Sequence, residues 1–224
     1  MGYFSIALDG PAGAGKSTIA KAVAKELGYI YVDTGAMYRA IALYLLRNGI
    51  KAEEEDVISA RCKEAKVSIE YVDGKQVVLL NGEDVNGLIR TEEVGSMASS
   101  SSTNKDVRLQ LLDLQRELAR KNDVIMDGRD IGTNILPDAQ AKIYLTASIE
   151  VRAKRRFDEL TAKGAACDYE EIKREIAIRD ERDMNREIAP LRQAEDAVLL
   201  DSSDLTIDEV KEEIIRIIKE KTIG

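Results

Sequence analysis

Short runs of almost uninterrupted apolar residues alternate with longer stretches of helical periodicity along this chain. The runs Phe4–Asp9, Tyr29–Asp33, Val124–Asp127, Lys142–Leu145 and Ala197–Asp201 predict strands. A strand with one wet face would alternate polar and apolar positions, so these read as strands covered on both faces. Helical spacing predicts helices at about 16–27, 35–48, 104–121, 149–163, 169–187 and 206–220. Strand–helix alternation of this kind predicts an α/β fold, a doubly wound parallel sheet of about five strands flanked by helices. Ligands in such sheets bind beyond the carboxyl ends of the strands. Four of the predicted strands end in aspartate there: Asp9, Asp33, Asp127 and Asp201.

One stretch departs from the pattern. Val67–Val72 and Gln76–Leu80 flank Asp73-Gly74, a strong hairpin signal, and Asn81-Gly82 and Asn86-Gly87 supply further turns. Residues 62–92 are therefore expected to form a small antiparallel insert, placed as a lip over a second ligand.

Between the first predicted strand and the first predicted helix lies Gly10-Pro11-Ala12-Gly13-Ala14-Gly15-Lys16-Ser17, followed by Thr18. Glycines at this spacing let backbone N–H groups turn inward around a polyphosphate, and the helix behind adds its positive end. Lys16 is expected to reach the β- and γ-phosphates and the Ser17 hydroxyl to ligate Mg²⁺. This segment predicts a P-loop site for a nucleoside triphosphate, ATP with Mg²⁺.

Composition narrows the chemistry. The 224 residues include no histidine and only two cysteines, and the net charge is -8. A Ser-His-Asp triad and a histidine relay are excluded, and a zinc site is disfavoured. The acidic balance argues against nucleic-acid binding. No apolar stretch reaches the roughly 20 residues of a membrane helix, and no basic, apolar leader pattern opens the chain. A cytoplasmic protein without a disulfide framework is expected.

Local positive charge then calls for a specific partner. Thr34 is placed to cap the helix after the second strand, with Arg39 about a turn and a half into it. Gly128 permits a tight turn after the third strand, from which Arg129 and Asp130 are expected to point into the cleft. Arg179, Arg182 and Arg186, at i, i+3 and i+7, are expected on one helical face, and Arg152, Arg155 and Arg156 cluster on the helix before. Guanidinium forks bind phosphate through two hydrogen bonds and stay charged. Phosphoryl transfer passes through a loose transition state that needs mostly positioning and charge stabilisation. A phosphate-monoester acceptor has a second pKa near about 6, so it arrives ionised and needs no histidine base.

With these residues in hand, the chain resembles the bacterial cytidylate kinases, a family of nucleoside monophosphate kinases. The resemblance runs along essentially the whole chain. It rests on Leu8–Thr18, Asp33–Arg39, the insert ending Asn81–Val85, Asp127–Thr133 and Arg179–Arg186. It implies a single P-loop kinase domain over 1–224, with the 62–92 insert on the nucleoside monophosphate side and a lid at 152–166. It implies transfer of the ATP γ-phosphate to CMP or dCMP by a monomer. Lys16, Arg129, Arg182 and Arg186 would be catalytic, and Arg155 on the lid would join the phosphate loop at ATP. Arg39 and Arg129 would hold the CMP phosphate, with Arg186 an arginine on the phosphate side. Thr34 would meet the acceptor, and Ser99, Arg108 and Asp130 would read cytosine. Arg179 and Asp183 would lie near the pentose. Two other readings remain at this point. A P-loop kinase for shikimate or dephospho-coenzyme A would need Asp33 or Asp127 as base. A module that senses or hydrolyses ATP would need none of Arg39, Arg129 and Arg186.

Overall fold

In the computed structural model, which describes residues 2–223, the five predicted strands form within a few residues of their expected bounds. They are β1 (Ser5–Asp9), β2 (Ile30–Asp33), β6 (Val124–Gly128), β7 (Ala141–Thr146) and β8 (Val198–Asp201). The larger sheet is parallel, in the order β2-β6-β1-β7-β8. The order turns back at β1, the strand that leads into the glycine loop, and crevices beyond such a strand are where ligands bind in these sheets. A smaller antiparallel sheet holds β3 (Val67–Val72), β4 (Lys75–Leu80) and β5 (Glu83–Asp84). The β3–β4 turn has Asp73 at φ 51 and Gly74 at φ 71, the paired left-handed residues that a two-residue hairpin needs.

Eight helices are described. They are α1 (Lys16–Leu27), α2 (Thr34–Arg47), α3 (Glu55–Arg61), α4 (Glu92–Ser101), α5 (Lys105–Lys121), α6 (Ile149–Ala162), α7 (Tyr169–Asn185) and α8 (Ile207–Ile223). Helices α3 and α4 are additions to the sequence-based expectation. Helix α3 has only seven residues, and α4 carries Gly95 and a serine run, both poor helix formers. The Thr91 hydroxyl caps α4 by accepting from Val94 N–H at 3.3 Å. The cap expected of Thr34 is a correction. Asp33 caps α2, its Oδ1 accepting from Ala36 N–H at 2.9 Å, and Thr34 is the first helical residue. A carboxylate is the better acceptor and also meets the positive helix end.

The chain divides into two compact units. One holds residues 29–126 with those up to Phe4, and the other holds 5–28 and 127 onward. In the first, α2 packs on α4, α5 and the hairpin strands, around Met37, Ile41, Leu45, Ile58, Ile89 and Leu111. The hairpin grips the end of β2. Tyr71 Oη donates to Tyr31 O at 3.1 Å, and Gln76 takes both backbone groups of Asp33. Its Oε1 accepts from Asp33 N–H at 2.8 Å and its Nε2 donates to Asp33 O at 3.2 Å.

In the second unit β1 pairs with β7 and β7 with β8, all parallel, and Ile6, Leu8, Ile143 and Leu145 are buried. Helices α6 and α7 pack on each other through Ala153, Ile172 and Ile176, bordered by Phe157, Leu160 and Tyr169.

Candidate active site

The glycine loop of the second unit is held in a shape only glycine tolerates. Gly10 has φ +148, and a Cβ there would lie 1.9 Å from the Leu145 carbonyl oxygen. Gly13 and Gly15 are left-handed at φ +77 and +86. Lys16 opens α1 with only 6% of its surface exposed, and its Nζ donates to Pro11 O at 2.7 Å. Burial drives the Lys16 amine well below its usual pKa, and Arg129 and Arg179 push the same way against Asp127 and Asp9. A cation so placed is held for an anion. Ser17 Oγ donates to Asp127 Oδ2 at 2.6 Å, pairing a hydroxyl with a strand-end carboxylate. Thr18 is exposed in the first turn of α1.

Arg152, rather than Arg155, reaches the loop. Its Nη1 donates to Ala12 O at 3.1 Å and to Asp180 Oδ2 at 2.6 Å, and its Nε donates to Ala147 O at 2.9 Å. Arg155 instead turns to the end of β8, donating to Ser202 O at 2.7 Å and Ser202 Oγ at 3.2 Å.

Two further arginine–carboxylate pairs lie in this unit. Arg129 Nε donates to Asp183 Oδ2 at 2.8 Å, and Arg186 Nη2 donates to Asp130 Oδ1 at 3.1 Å. Burial raises the Asp183 pKa, but Arg129, Arg179 and Arg186 outweigh it and leave the carboxyl below its usual range. Asn134 Nδ2 donates to the other Asp130 oxygen at 3.1 Å. The single arginine face expected over 179–186 is also corrected. Helix α7 stops at Asn185, and Arg186 sits at its C-cap with extended backbone. Arg186 is buried, with Nε donating to Ala189 O at 2.7 Å, while Arg179 is half-buried and Arg182 exposed. Pro190 cannot prolong the helix, and Ala189 already takes positive φ.

In the first unit, α2 carries buried Thr34 and half-buried Arg39. Arg39 Nη1 donates to Ile89 O at 3.0 Å, and its guanidinium covers Gly95, where a Cβ would lie 2.9 Å from Nη2. Glycine at 95 therefore makes room for Arg39. Ser99 is buried on α4. Arg108 is buried on α5, donates to Ser102 O at 3.3 Å and lies 5.7 Å from the Tyr38 ring centroid, within cation–π range.

Sequence reasoning assigned no role to Asp9, Asp180 or Gln76, and it treated Asp127 as a strand end and, for another acceptor, as a possible base. Asp9 is buried and fully engaged. Its oxygens accept from Ile131 N–H and Gly132 N–H, both at 2.8 Å. Burial lifts its pKa from 3.8 to about 6, against those two N–H groups; Asp130 adds to the rise and Lys16 opposes it. The aspartates that end strands were the available signal for Asp9 and Asp127. Nothing in the sequence marks Gln76.

The comparisons extend over nearly the whole chain. Residues 6–220 match the cytidylate kinase family. The chain is 53% identical to the cytidylate kinase of Caldicellulosiruptor saccharolyticus over 224 residues, covering 100% of this chain and 99% of that protein. It is 49% identical to the cytidylate kinase of Lactobacillus gasseri, covering 96% and 94%. Among solved structures, an uncharacterized protein from Eubacterium ventriosum aligns with a TM-score of 0.52 at 14% identity, over 97% of this chain and 98% of that one. That last likeness concerns the fold alone.

Proposed function

The chain belongs to the cytidylate kinase family, and from that premise we propose that it transfers the γ-phosphoryl group of ATP to CMP or dCMP, giving ADP and CDP or dCDP. The observation that carries the reading is the set of arginine–carboxylate pairs, the part-buried Arg129–Asp183 and the buried Arg186–Asp130, in the unit that holds Lys16 and Ser17. Buried ion pairs add little net stability, because desolvation offsets their attraction. Their use is to keep guanidinium forks oriented until phosphate oxygens replace the carboxylates.

ATP sits with its phosphates on the N–H groups of Gly10 and Ala12–Thr18 and on Lys16. Ser17 and Asp127, a hydroxyl and a carboxylate in hydrogen-bond contact, are hard oxygen donors of the kind that holds Mg²⁺ beside substrate phosphates. That ion supplies charge neutralisation on the phosphates. CMP is held by Thr34, Arg39, Ser99, Arg108, Arg129, Asp130, Arg179, Asp183 and Arg186. In this reading Asp130 accepts from the exocyclic amine of cytosine, while Ser99 and Arg108 donate to O2 and N3. An oxygen of the CMP phosphate attacks the γ-phosphorus. The new P–O bond forms as the bond to the β–γ bridging oxygen breaks, and ADP leaves with that electron pair. The attacking oxygen is already ionised, so no base is used. Lys16, Arg129, Arg182 and Arg186 stabilise the charge of the transferring group.

Residues 152–166, with Arg155, act as the lid that excludes water from ATP. The 62–92 segment serves the nucleoside monophosphate side of a single kinase domain spanning 1–224. No helix among the described residues is long and apolar enough to cross a membrane. The unpaired Cys62 and Cys167 support a reducing, cytoplasmic setting for a monomeric enzyme.

The test follows ADP release from Mg-ATP with CMP, dCMP, UMP, AMP and shikimate offered separately. CMP and dCMP are expected to turn over fastest. Release that needs no acceptor, or that favours AMP or shikimate, would overturn the proposal.

A further inference from the structure

The Ile131–Ile135 turn follows Asp130 directly and is wound in π fashion, with Leu136 N–H reaching Ile131 O at 2.7 Å. Its first N–H groups need acceptors, as at any helical start. Asp130 occupies the N-cap position, and aspartate there ordinarily folds back to accept from the backbone N–H groups of its own turn. It does not do so here. Its side chain makes no capping bond, and its two oxygens face Arg186 Nη2 and Asn134 Nδ2. The donors it leaves, Ile131 N–H and Gly132 N–H, go to the two oxygens of Asp9, more than 120 residues earlier in the chain. Asp9 ends β1 immediately before Gly10 of the phosphate loop.

We propose that Asp9 is a positioning residue for acceptor recognition: it caps the Ile131–Ile135 turn from another strand and thereby releases the Asp130 carboxylate from its own backbone to stand with Arg186. The inference rests on the reading above, in which Asp130 meets the cytosine. It also gives the buried Asp9 a task that packing does not. A carboxylate sheltered this thoroughly has a desolvation cost that an apolar residue would avoid. What an apolar residue cannot do is satisfy two consecutive N–H groups at once. Both ends of the transfer are tied through this one side chain, since the strand that leads into the phosphate loop also fixes the turn that follows Arg129 and Asp130.

The test is base discrimination. Asp9→Asn keeps the size of the side chain but turns an amide NH₂ toward one of the two donors. The Asp130 carboxylate is then the nearest replacement acceptor. The ratio of kcat/KM for CMP over UMP is expected to fall at least about tenfold, as one charge-assisted hydrogen bond stops discriminating. The KM for ATP is expected to stay within about threefold. An unchanged CMP:UMP ratio would overturn the proposal, and so would an ATP KM that rises as much as the KM for CMP. In Asp130→Ala enzyme, adding Asp9→Asn is expected to cost no further discrimination, and an additive loss would count against it. If Asp9→Asn folds too poorly to assay, Gly132→Ala takes its place. Its new Cβ lies 3.1 Å from Lys142 Cδ and 3.4 Å from Asp9 Oδ2, so it crowds the carboxylate where that group meets the turn. The same fall in the ratio is expected, and an unchanged ratio overturns the idea. Wild-type enzyme with no preference for CMP would overturn the functional reading, and this inference with it, before any variant is compared.

Discussion

Arg186 commits two separate nitrogens to fixed acceptors, Nε to Ala189 O and Nη2 to Asp130 Oδ1. A lysine ammonium is a single point on a flexible stem and cannot hold both while facing a phosphate. Arg186→Lys is therefore expected to lower kcat/KM for CMP by about 10- to 100-fold with little change in ATP binding. Steady-state kinetics with separately measured ATP affinity checks this, and unchanged turnover removes Arg186 from the reaction. Asp9 makes a prediction about pH. Its pKa is about 6 in the fold against an ordinary 3.8, so the folded state holds its proton more tightly than the unfolded chain does. Its stabilising contribution is complete below 3.8 and is lost as pH rises through about 6. The unfolding free energy of wild type minus that of Asp9→Asn should accordingly fall by about 3 kcal/mol across this window, then stay level. Denaturant titrations over the range test it, and a pH-independent difference would refute the shift. Titrating groups remote from Asp9 are common to both proteins and cancel, whereas Lys16 and Asp130, which feel its charge, add to the difference. The placement of Lys16 and Ser17 at the start of α1, just past the glycine loop, was legible in the sequence because loop chemistry fixes residue type and spacing together. The partners were not, because Arg129–Asp183 and Arg186–Asp130 join residues 54 and 56 apart.

The hairpin was readable as an element from Asp73-Gly74, whereas its hold on β2 was not. Strand β4 makes that hold through Gln76, whose amide spans the N–H and C=O of Asp33 just where β2 gives way to α2. The hairpin is thus a clamp on the residue that caps the helix bearing Thr34 and Arg39. Gln76→Leu leaves both backbone groups of Asp33 without that partner, and stability should fall by about 1–3 kcal/mol. Gln76→Glu should restore little, since its second oxygen would face Asp33 O. Chemical denaturation of the two variants distinguishes these outcomes, and a loss below a few tenths would mean that the clamp carries no load. Helix α4 shows the opposite limit of sequence reading. Its glycine and serines argue for a loop, yet Gly95 is what lets Arg39 lie across the helix and Ser99 is buried on it. Packing overrode local propensity in a segment whose composition serves a guanidinium group.

For the molecule as a whole, the alternation of apolar runs and helical stretches revealed a parallel α/β sheet, and the histidine count narrowed the chemistry. The strand order β2-β6-β1-β7-β8 was not recoverable, because it depends on which distant strands pair. The same distances bear on how the protein is made. The phosphate loop is synthesised well before its supports: Asp127 for Ser17, Ile131 and Gly132 for Asp9, and Arg152 for Ala12, at separations of 110, 122, 123 and 140 residues. At translation rates of about 5–20 residues per second, a nascent loop waits roughly 5–30 s for them. A chain released from the ribosome before Arg152 emerges carries the complete motif without the framework that shapes it.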